Sequence, residues 1–260
     1  MDQIPYNPSN LVMTKEDIQT IIRGHHVPRN LDLYRTSMVH KSYCTRKNQN
    51  IETGNVNCPN NCLPLQDESS ERLEFLGDAV LNLVIGNYLF ERYPDENEGF
   101  LTKMRTKLVC GTMLAFLAGK MNIAKYFIIS RQIEESQDGR LNAKILEDAF
   151  ESFLGALFLD SNCDITIAKN WTIDIIESFV DFSSLIAARD NPKDEIIKKI
   201  QQMYGYIPKF HEFDIKNEDG KKMFHVCLKD TMNKIIARGS GITKKKAEQN
   251  CATNALASFG

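Results

Sequence analysis

The chain has 260 residues, of which 42% are hydrophobic and 25% are charged, a composition typical of a globular protein with one large and one small domain. Its formal net charge is -2 at pH 7, which by itself argues against a nucleic-acid binder. Charged residues interrupt every apolar stretch, so we expect no membrane partner, and the N-terminus lacks the features of a secretory signal. Seven cysteines, an odd number, predict reduced thiols and an intracellular protein, cytoplasmic or nuclear.

The charge is unevenly distributed along the chain. From Asn191 onward there are 13 lysines and arginines against 8 acids, whereas the preceding residues carry 19 against 26. The tail is therefore basic and the body acidic. This division suits a protein whose acidic site repels phosphate until cations bind, while a basic module supplies affinity for it.

The first third of the chain predicts little regular structure. Residues 1–30 are expected to form a loose arm followed by a weak helix that starts near Thr14, and Leu31–Tyr43 predicts the first secure helix. His40 near its end is more often a structural hydrogen-bonding residue than a general base. The segment 44–69 is polar and rich in asparagine, which predicts a loop. Its two cysteines, four residues apart, lack a second pair at zinc-finger spacing, so chance is favoured over a zinc site.

The stretch Ser70–Ile85 predicts a helix with almost no face left for water. It nevertheless carries Glu71, Glu74 and Asp78 at spacings of three and four, which places all three on one side of the helix. An unpaired buried carboxylate is costly or takes up a proton, so these acids need a cationic partner. A second apolar helix, 145–159, repeats the anomaly with two acids three residues apart.

Two buried helices that each contribute carboxylates from one face can form a divalent metal site. The four predicted metal ligands are Glu74, Asp78, Asp148 and Glu151. No His or Cys accompanies them at matching spacing, so they favour Mg2+, with Mn2+ as a substitute, over zinc. Magnesium bound in this way keeps waters and binds phosphate oxygens, so phosphodiester hydrolysis is the natural reaction. Ordinary solvated acids on amphipathic helices remain the alternative.

Further helices are expected between and after these two. Phe100–Gly119 predicts one helix, and its basic residues Lys103, Arg105 and Lys107 could equally form a solvated face or contact phosphates. Asn162–Val180 predicts the last helix of the large domain, and the domain boundary is expected near residues 183–190. These elements complete an all-α body.

The basic tail predicts a small α+β domain. Asn191-Pro192 suits a helix start, and the apolar face of that helix is predicted to be Ile196, Ile197, Ile200 and Met203. Strands follow at 209–215, 223–229 and 234–237, and a last helix begins at Thr243. Lys244, Lys245 and Lys246 oppose the dipole of that helix, unless an anion such as an RNA phosphate lies in front of them.

Residues 71–81, ERLEFLGDAVL, carry a specific resemblance: they reproduce without a gap the signature of the ribonuclease III family. Residues 40–42, 93–105 and 148–156 resemble its flanking motifs and second acidic helix, and the tail resembles a double-stranded-RNA-binding domain. The resemblance implies an all-α endonuclease domain over 31–185, in which 44–69 is an inserted loop. An α-β-β-β-α RNA-binding domain over 191–260 is expected to follow.

The resemblance also implies the activity and its residues. Glu74, Asp78, Asp148 and Glu151 would be the catalytic acids that hold Mg2+ and activate a water against a phosphodiester of double-stranded RNA. The expected products carry 5′-phosphates and 3′-hydroxyls with a short 3′ overhang, which requires two sites and hence a homodimer with Phe75 at its interface. No organic cofactor is expected.

Further residues receive auxiliary roles from the resemblance. Glu71 matches an acid near the interface, and Glu98 matches an acid of the outer site. Lys144 could hold the scissile phosphate or a leaving oxygen, and a salt bridge to a nearby acid is the equal alternative.

The tail resembles its family less closely at two RNA-contacting places. Lys198, and Lys221 with Lys222, occupy positions expected to reach the duplex, but the loop 217–222 is short and lacks the usual histidine. The other candidate function is a catalytically silent scaffold that sequesters duplex RNA. Lineages of that kind lose one or more acids, and all four are present here.

Overall fold

A computed structural model describes residues 5–45, 58–136, 139–187, 192–218 and 221–259, with only the backbone described for 215–218 and 221. The chain divides into two compact units, Met1–Leu185 and Ile186–Gly260. The predicted domain limits of 31–185 and 191–260 stay predictions at the level of single residues.

The part of the chain that precedes residue 188 is helical where it is described. Its helices are α1 (Lys15–Ile22), α2 (Leu31–Ser37), α3 (Glu71–Arg92), α4 (Glu98–Leu108), α5 (Gly111–Lys120), α6 (Arg131–Glu135), α7 (Ala143–Asp160), α8 (Ile165–Phe179) and α9 (Phe182–Ala187). Short 3-10 turns lie at Lys41–Tyr43, Ile123–Tyr126 and Gly139–Leu141. The predicted all-α class of this domain is confirmed.

Helices α3 and α7 form the centre of this unit. Leu81, Ile85 and Leu89 give α3 a buried face, and α7 is buried along most of its length. The two backbones touch through glycines: a Cβ atom at Gly77 would lie 1.8 Å from the carbonyl oxygen of Glu151, and one at Gly155 would lie 2.3 Å from that of Leu73. Because no side chain separates the helices here, residues beside these glycines face each other across the crossing.

The N-terminal segment is not a loose arm over the residues that the structure describes. Thr14 and Asp17 cap α1 reciprocally, as expected of a helix starting there, and Ile18 and Ile22 are fully buried. Before this helix, Asn10 is buried and its side-chain amide donates to the carbonyl oxygen of Ile129. The segment therefore packs as part of the first unit.

Two predicted helices are shorter than the sequence indicated. The helix predicted over Leu31–Tyr43 ends at Ser37, because Val39 pairs with Ile128 in an isolated parallel bridge, a contact between distant residues. The helix predicted over Phe100–Gly119 is interrupted at residues 109–110, where Cys110 precedes α5 in an extended conformation. The local periodicity of the sequence did not predict either of these helix ends.

The predicted polar loop 44–69 lies partly outside the described residues, since 46–57 are not described. Of the rest, Cys44 pairs with Gln66, and the hydroxyl of Tyr43 donates to the carbonyl oxygen of Leu63. Cys58 and Cys62 are free thiols. All seven cysteines belong to the described residues, and none forms a disulfide.

Helix α3 is also long and apolar enough to cross a membrane by length and composition alone, with a mean hydropathy of 1.3. The prediction that no stretch reaches that length was therefore too strict. Of its apolar window, 44% is buried inside the unit. Packing against α7 accounts for the buried part of the sequence, but Phe75 and Leu83 are 82% and 61% exposed, so the prediction of a helix with almost no face left for water is wrong.

The second unit has the predicted α-β-β-β-α order, which is confirmed. Its elements are α10 (Pro192–Tyr204), β1 (Lys209–Glu218), β2 (Lys221–Lys229), β3 (Ile235–Gly241) and α11 (Lys244–Ser258). The strands form an antiparallel sheet in the order β1-β2-β3, and Ile196, Ile200 and Leu228 pack with α11 in its core. Met203, predicted to lie on the apolar face of α10, is 55% exposed. The predicted cap at residue 191 lies outside the described residues.

Candidate active site

The crossing of α3 and α7 brings predicted acids from the two helices together. Carboxylate oxygens of Glu74, Asp148 and Glu151 all lie within 4.8 Å of one another. Glu74 projects from α3 and the other two from α7, so the cluster depends on the backbone contact at the glycines. An all-oxygen donor set of this size fits a hard divalent ion such as Mg2+ or Mn2+.

The acids line a cavity of about 770 Å³. Its lining residues are Ser37, Met38, His40, Lys41, Ser70, Glu71, Glu74, Phe75, Asp78, Phe127, Ile133, Asn142, Lys144, Ile145, Glu147, Asp148, Ala149 and Glu151. All four predicted metal ligands are thus among them. The cavity also holds two lysines and a histidine, so it presents charges of both signs.

The electrostatics of the cluster favour binding of a cation. Glu151 is only 7% exposed, and burial, together with the charge of Asp78 and then those of Glu147 and Glu74, raises its pKa to about 8. Burial and the charge of Asp148 also raise the pKa of Glu74. Carboxyl groups held this close repel one another, and a divalent ion would relieve both the repulsion and the desolvation. The residues therefore fit the metal that the sequence predicted.

Asp78 lies at the edge of the cluster rather than within it. Its side chain is exposed and accepts a hydrogen bond of 2.8 Å from the amide of Asn82. It is not one of the three acids whose oxygens converge, although its charge acts on Glu151. The structure thus groups three of the four predicted ligands tightly and leaves the fourth beside them.

Two lysines pair with acids of the cavity. The Lys144 ammonium lies 2.7 Å from Oδ1 of Asp148 and 3.5 Å from Oε1 of Glu147. Lys144 therefore forms the salt bridge to a nearby acid that was one of the two alternatives predicted from the sequence. Lys41 lies 3.1 Å from Oε1 of Glu71, and this hydrogen bond lowers the pKa of Glu71. Both lysines are largely exposed and can move.

His40 has a structural contact. Its Nδ1 accepts a hydrogen bond from the backbone N–H of Ser42, which caps the turn Lys41–Tyr43. Burial, and next the charge of Lys41, lower the pKa of His40. A neutral imidazole that accepts at Nδ1 carries its proton on Nε2, which suits a hydrogen-bonding residue.

Other predicted site residues lie outside the cluster. Glu98 begins α4, is not among the residues that line the cavity, and accepts a hydrogen bond of 2.7 Å from the hydroxyl of Thr102. Its auxiliary role stays a prediction. Phe75 is 82% exposed and lies at the rim of the cavity. An aromatic ring this exposed has no packing role within the unit.

One acid of the cavity was missed. Glu147 precedes Asp148 and is one helical turn before Glu151, so it shares the cavity-facing side of α7. It was not singled out from the sequence beside Asp148. The spacing of four from Glu151 was the available signal, since acids at i and i+4 on an otherwise apolar helix face the same way.

The predicted RNA-contacting lysines lie on the second unit. Lys244, Lys245 and Lys246 are exposed in the first turn of α11, where the Thr243 side chain accepts from the backbone of Lys246. Lys198 on α10 and Lys222 on β2 are also exposed. The side chain of Lys221 lies outside the described residues. Lys244 approaches Glu212 at 3.8 Å.

An acidic cavity where two helices cross, in a chain that also folds a separate α-β-β-β-α domain, fits a two-domain protein of the nuclease class. Comparisons with known proteins agree with that class. Residues 71–162 match the Ribonuclease III domain, and residues 192–258 match the Double-stranded RNA binding motif.

Whole-chain relatives extend the match. The chain is 33% identical over 249 residues to the probable ribonuclease 3 of Acanthamoeba polyphaga mimivirus, covering 94% of this chain and 45% of that protein. It is 32% identical over 235 residues to ribonuclease 3 of Staphylococcus epidermidis, covering 87% of this chain and 84% of that protein. A nuclease domain of Campylobacter jejuni ribonuclease III has a TM-score of 0.51 at 30% identity, covering 64% of this chain and 97% of that domain. The chain belongs to the ribonuclease III family.

Proposed function

We propose that this protein is an endoribonuclease that hydrolyses phosphodiester bonds of double-stranded RNA with the help of a divalent metal ion. The observation that carries the proposal is the convergence of Glu74, Asp148 and Glu151 within 4.8 Å in a cavity lined by six acids and two lysines. The family relationship and the double-stranded RNA binding motif support the substrate. Mg2+ fits the oxygen ligands, and Mn2+ is expected to substitute.

The residues of the site have separate roles in the proposed reaction. Glu74, Asp148 and Glu151, with Asp78 beside them, would hold the ion. When bound, Mg2+ supplies an acidified, oriented water for in-line attack on phosphorus. Lys144, exposed beside the acids, would contact the negatively charged phosphate. Products with 5′-phosphates, 3′-hydroxyls and a short 3′ overhang follow if two such sites act on opposite strands.

Two sites require two copies of the chain. We propose a homodimer built on α3, because Phe75, Leu83 and Phe90 on this helix are 82%, 61% and 70% exposed. At about 100° per residue these three positions fall within an arc of roughly 80°, so they form one apolar stripe. The dimer-forming region named for the Campylobacter jejuni nuclease domain is consistent with such an assembly. The free thiols support an intracellular, cytoplasmic or nuclear setting.

The test is cleavage of a long RNA duplex with Mg2+ and with a chelator. Wild-type protein should cut the duplex only when the ion is present. Glu151→Gln should bind the duplex and form the dimer as wild type does, with turnover lowered by about a hundredfold or more. Cleavage in the chelator, or an unchanged rate in the variant, would contradict the proposal. Duplex binding without any cleavage would favour the silent scaffold.

A further inference from the structure

We propose that Glu147 is a positioning residue for Lys144. It keeps the lysine ammonium at the cavity when Asp148 binds a divalent ion. The inference rests on the proposed function for the role of Lys144. It deepens that function with a residue that is not among the predicted metal ligands. Glu147 lines the cavity but is not one of the three acids whose oxygens converge.

Besides lying near Lys144, Glu147 has its carboxylate at the start of α5. Its carboxylate packs against Gly111, the first residue of α5: a Cβ atom there would lie 2.4 Å from Oε2 and 3.0 Å from Oε1 of Glu147. Cys110, which precedes that helix, makes no side-chain capping hydrogen bond. A carboxylate beside an uncapped helix N-terminus is favoured by the helix dipole. The Glu147 side chain is 25% exposed against 64% for Lys144, so the carboxylate is the more restricted of the two groups.

The lysine is shared unequally between two neighbouring acids. Its ammonium is 2.7 Å from Asp148 and 3.5 Å from Glu147, and its side chain is 64% exposed. A divalent ion on the Asp148 carboxylate would repel an ammonium that lies 2.7 Å from one of its oxygens. An ion held by the converging acids would thus displace Lys144 from its nearer partner. Glu147, which lies outside that cluster, remains available to retain the lysine.

This arrangement has two consequences. Without Glu147, the ammonium has Asp148 as its remaining partner and competes more strongly with the ion. Once the ion is bound, an unretained lysine spends more time in solvent and contacts the phosphate less often. Both effects pass through Lys144, which separates them from a direct effect of the Glu147 charge on the ion.

A double-mutant cycle on Mn2+ binding, measured without RNA, tests the proposal. Glu147→Gln should weaken Mn2+ binding by about threefold to fivefold. Lys144→Met should strengthen it, because the competing cation is gone. In the Lys144→Met background, Glu147→Gln should change the affinity by less than about twofold. An equal loss in both backgrounds would show that Glu147 acts only through its charge, and would overturn the proposal.

A second variant separates position from charge. Gly111→Ala leaves every charge in place but forces the Glu147 carboxylate to move, since the added methyl group overlaps it. It should reproduce the Mn2+ affinity of Glu147→Gln. Wild-type affinity in Gly111→Ala would contradict the proposal. Glu135→Gln, which removes an exposed carboxylate paired with Arg131, is the matched control and should leave Mn2+ binding unchanged. Thermal melts of every variant identify any that fails to fold.

Cleavage kinetics supply the second readout. Under single-turnover conditions with saturating Mg2+, Glu147→Gln should lower the rate of cleavage by about tenfold with unchanged duplex affinity. It should have no further effect on the rate in the Lys144→Met background. If wild-type protein does not cleave duplex RNA at all, the proposed function fails, whereas the Mn2+ cycle still decides the role of Glu147.

Discussion

At the scale of single residues, the raised pKa of Glu151 lowers the free energy of unfolding of the metal-free protein at alkaline pH. Its pKa of about 8 lies above the ordinary value of 4.5, so between these pH values the folded state holds a proton that the unfolded state has released. The free energy of unfolding therefore falls as the pH rises through this window and levels off above about pH 8. Glu151→Gln should remove this slope and stabilise the metal-free protein at pH 9 by on the order of 1–3 kcal/mol. Thermal melts in chelator at pH 6 and pH 9 measure the effect, and equal melting shifts at both would contradict it.

The same proton opposes metal binding. An ion that uses the Glu151 carboxylate must displace the proton, so its affinity follows the ionised fraction of that group. With a pKa of about 8, this fraction rises from about one-hundredth at pH 6 to one-half at pH 8. Mn2+ affinity should therefore increase by about fiftyfold between these pH values, with release of protons measurable by calorimetry in two buffers. An affinity independent of pH over this range would show that the ion displaces no proton from Glu151.

At the scale of elements, the site depends on how closely α3 and α7 cross. Gly155→Ala would place a methyl carbon 2.3 Å from a backbone carbonyl of α3, so the helices must separate. We expect a loss of about 3 kcal/mol or more in the free energy of unfolding, together with weakened Mn2+ binding. Gly119→Ala is the control, because a Cβ atom there meets no heavy atom within 4 Å. It should gain about 0.5–1 kcal/mol. Denaturant unfolding compares them, and equal stabilities would disprove the close-crossing argument.

The helices also show which features of the site and the fold could be predicted from the sequence alone. The acids on α3 and α7 were predictable, because carboxylates in an apolar helix are anomalous wherever the helix packs. The true ends of the first helices were not, since Val39 leaves the helix to pair with Ile128, a contact between distant residues. The role of Gly111 was also not predictable. It depends on the carboxylate of Glu147, on α7, lying against Gly111 at the start of α5. Local periodicity carries information on faces, but not on such distant contacts.

At the scale of the whole molecule, the basic C-terminal domain should supply affinity for duplex RNA. The acidic first domain should supply the chemistry of cleavage. Changing Lys244, Lys245 and Lys246 together to glutamine should weaken duplex binding by about ten- to a hundredfold and reduce its logarithmic salt dependence by about two to three. Mn2+ binding should be unaffected. The same change at three exposed lysines of the first unit, Lys15, Lys120 and Lys125, is the control. Filter binding over a salt series measures both slopes, and equal losses for the two triple variants would remove the specific role of α11.

Assembly is the last property of the whole molecule that the structure makes testable. Phe90 belongs to the apolar stripe of α3 but lies four turns beyond the rim residue Phe75, so Phe90→Asp perturbs the proposed interface without touching the acid cavity. Loss of a large buried side chain costs about 1.5–3 kcal/mol on each copy, and two carboxylates near a twofold axis repel each other. Sedimentation should therefore show a monomer for Phe90→Asp and a dimer for wild type.

Phe116→Asp, on α5 and 43% exposed, is the matched control and should stay dimeric. If Phe90→Asp also remains a dimer, the copies associate through another surface. A monomer keeps its set of acids, so its Mn2+ affinity per chain should equal that of wild type. Its cleavage of a duplex should change in kind, because one site on one chain can reach only one strand at a time. Short 3′ overhangs should give way to nicks, which denaturing and native gels of the same reaction distinguish.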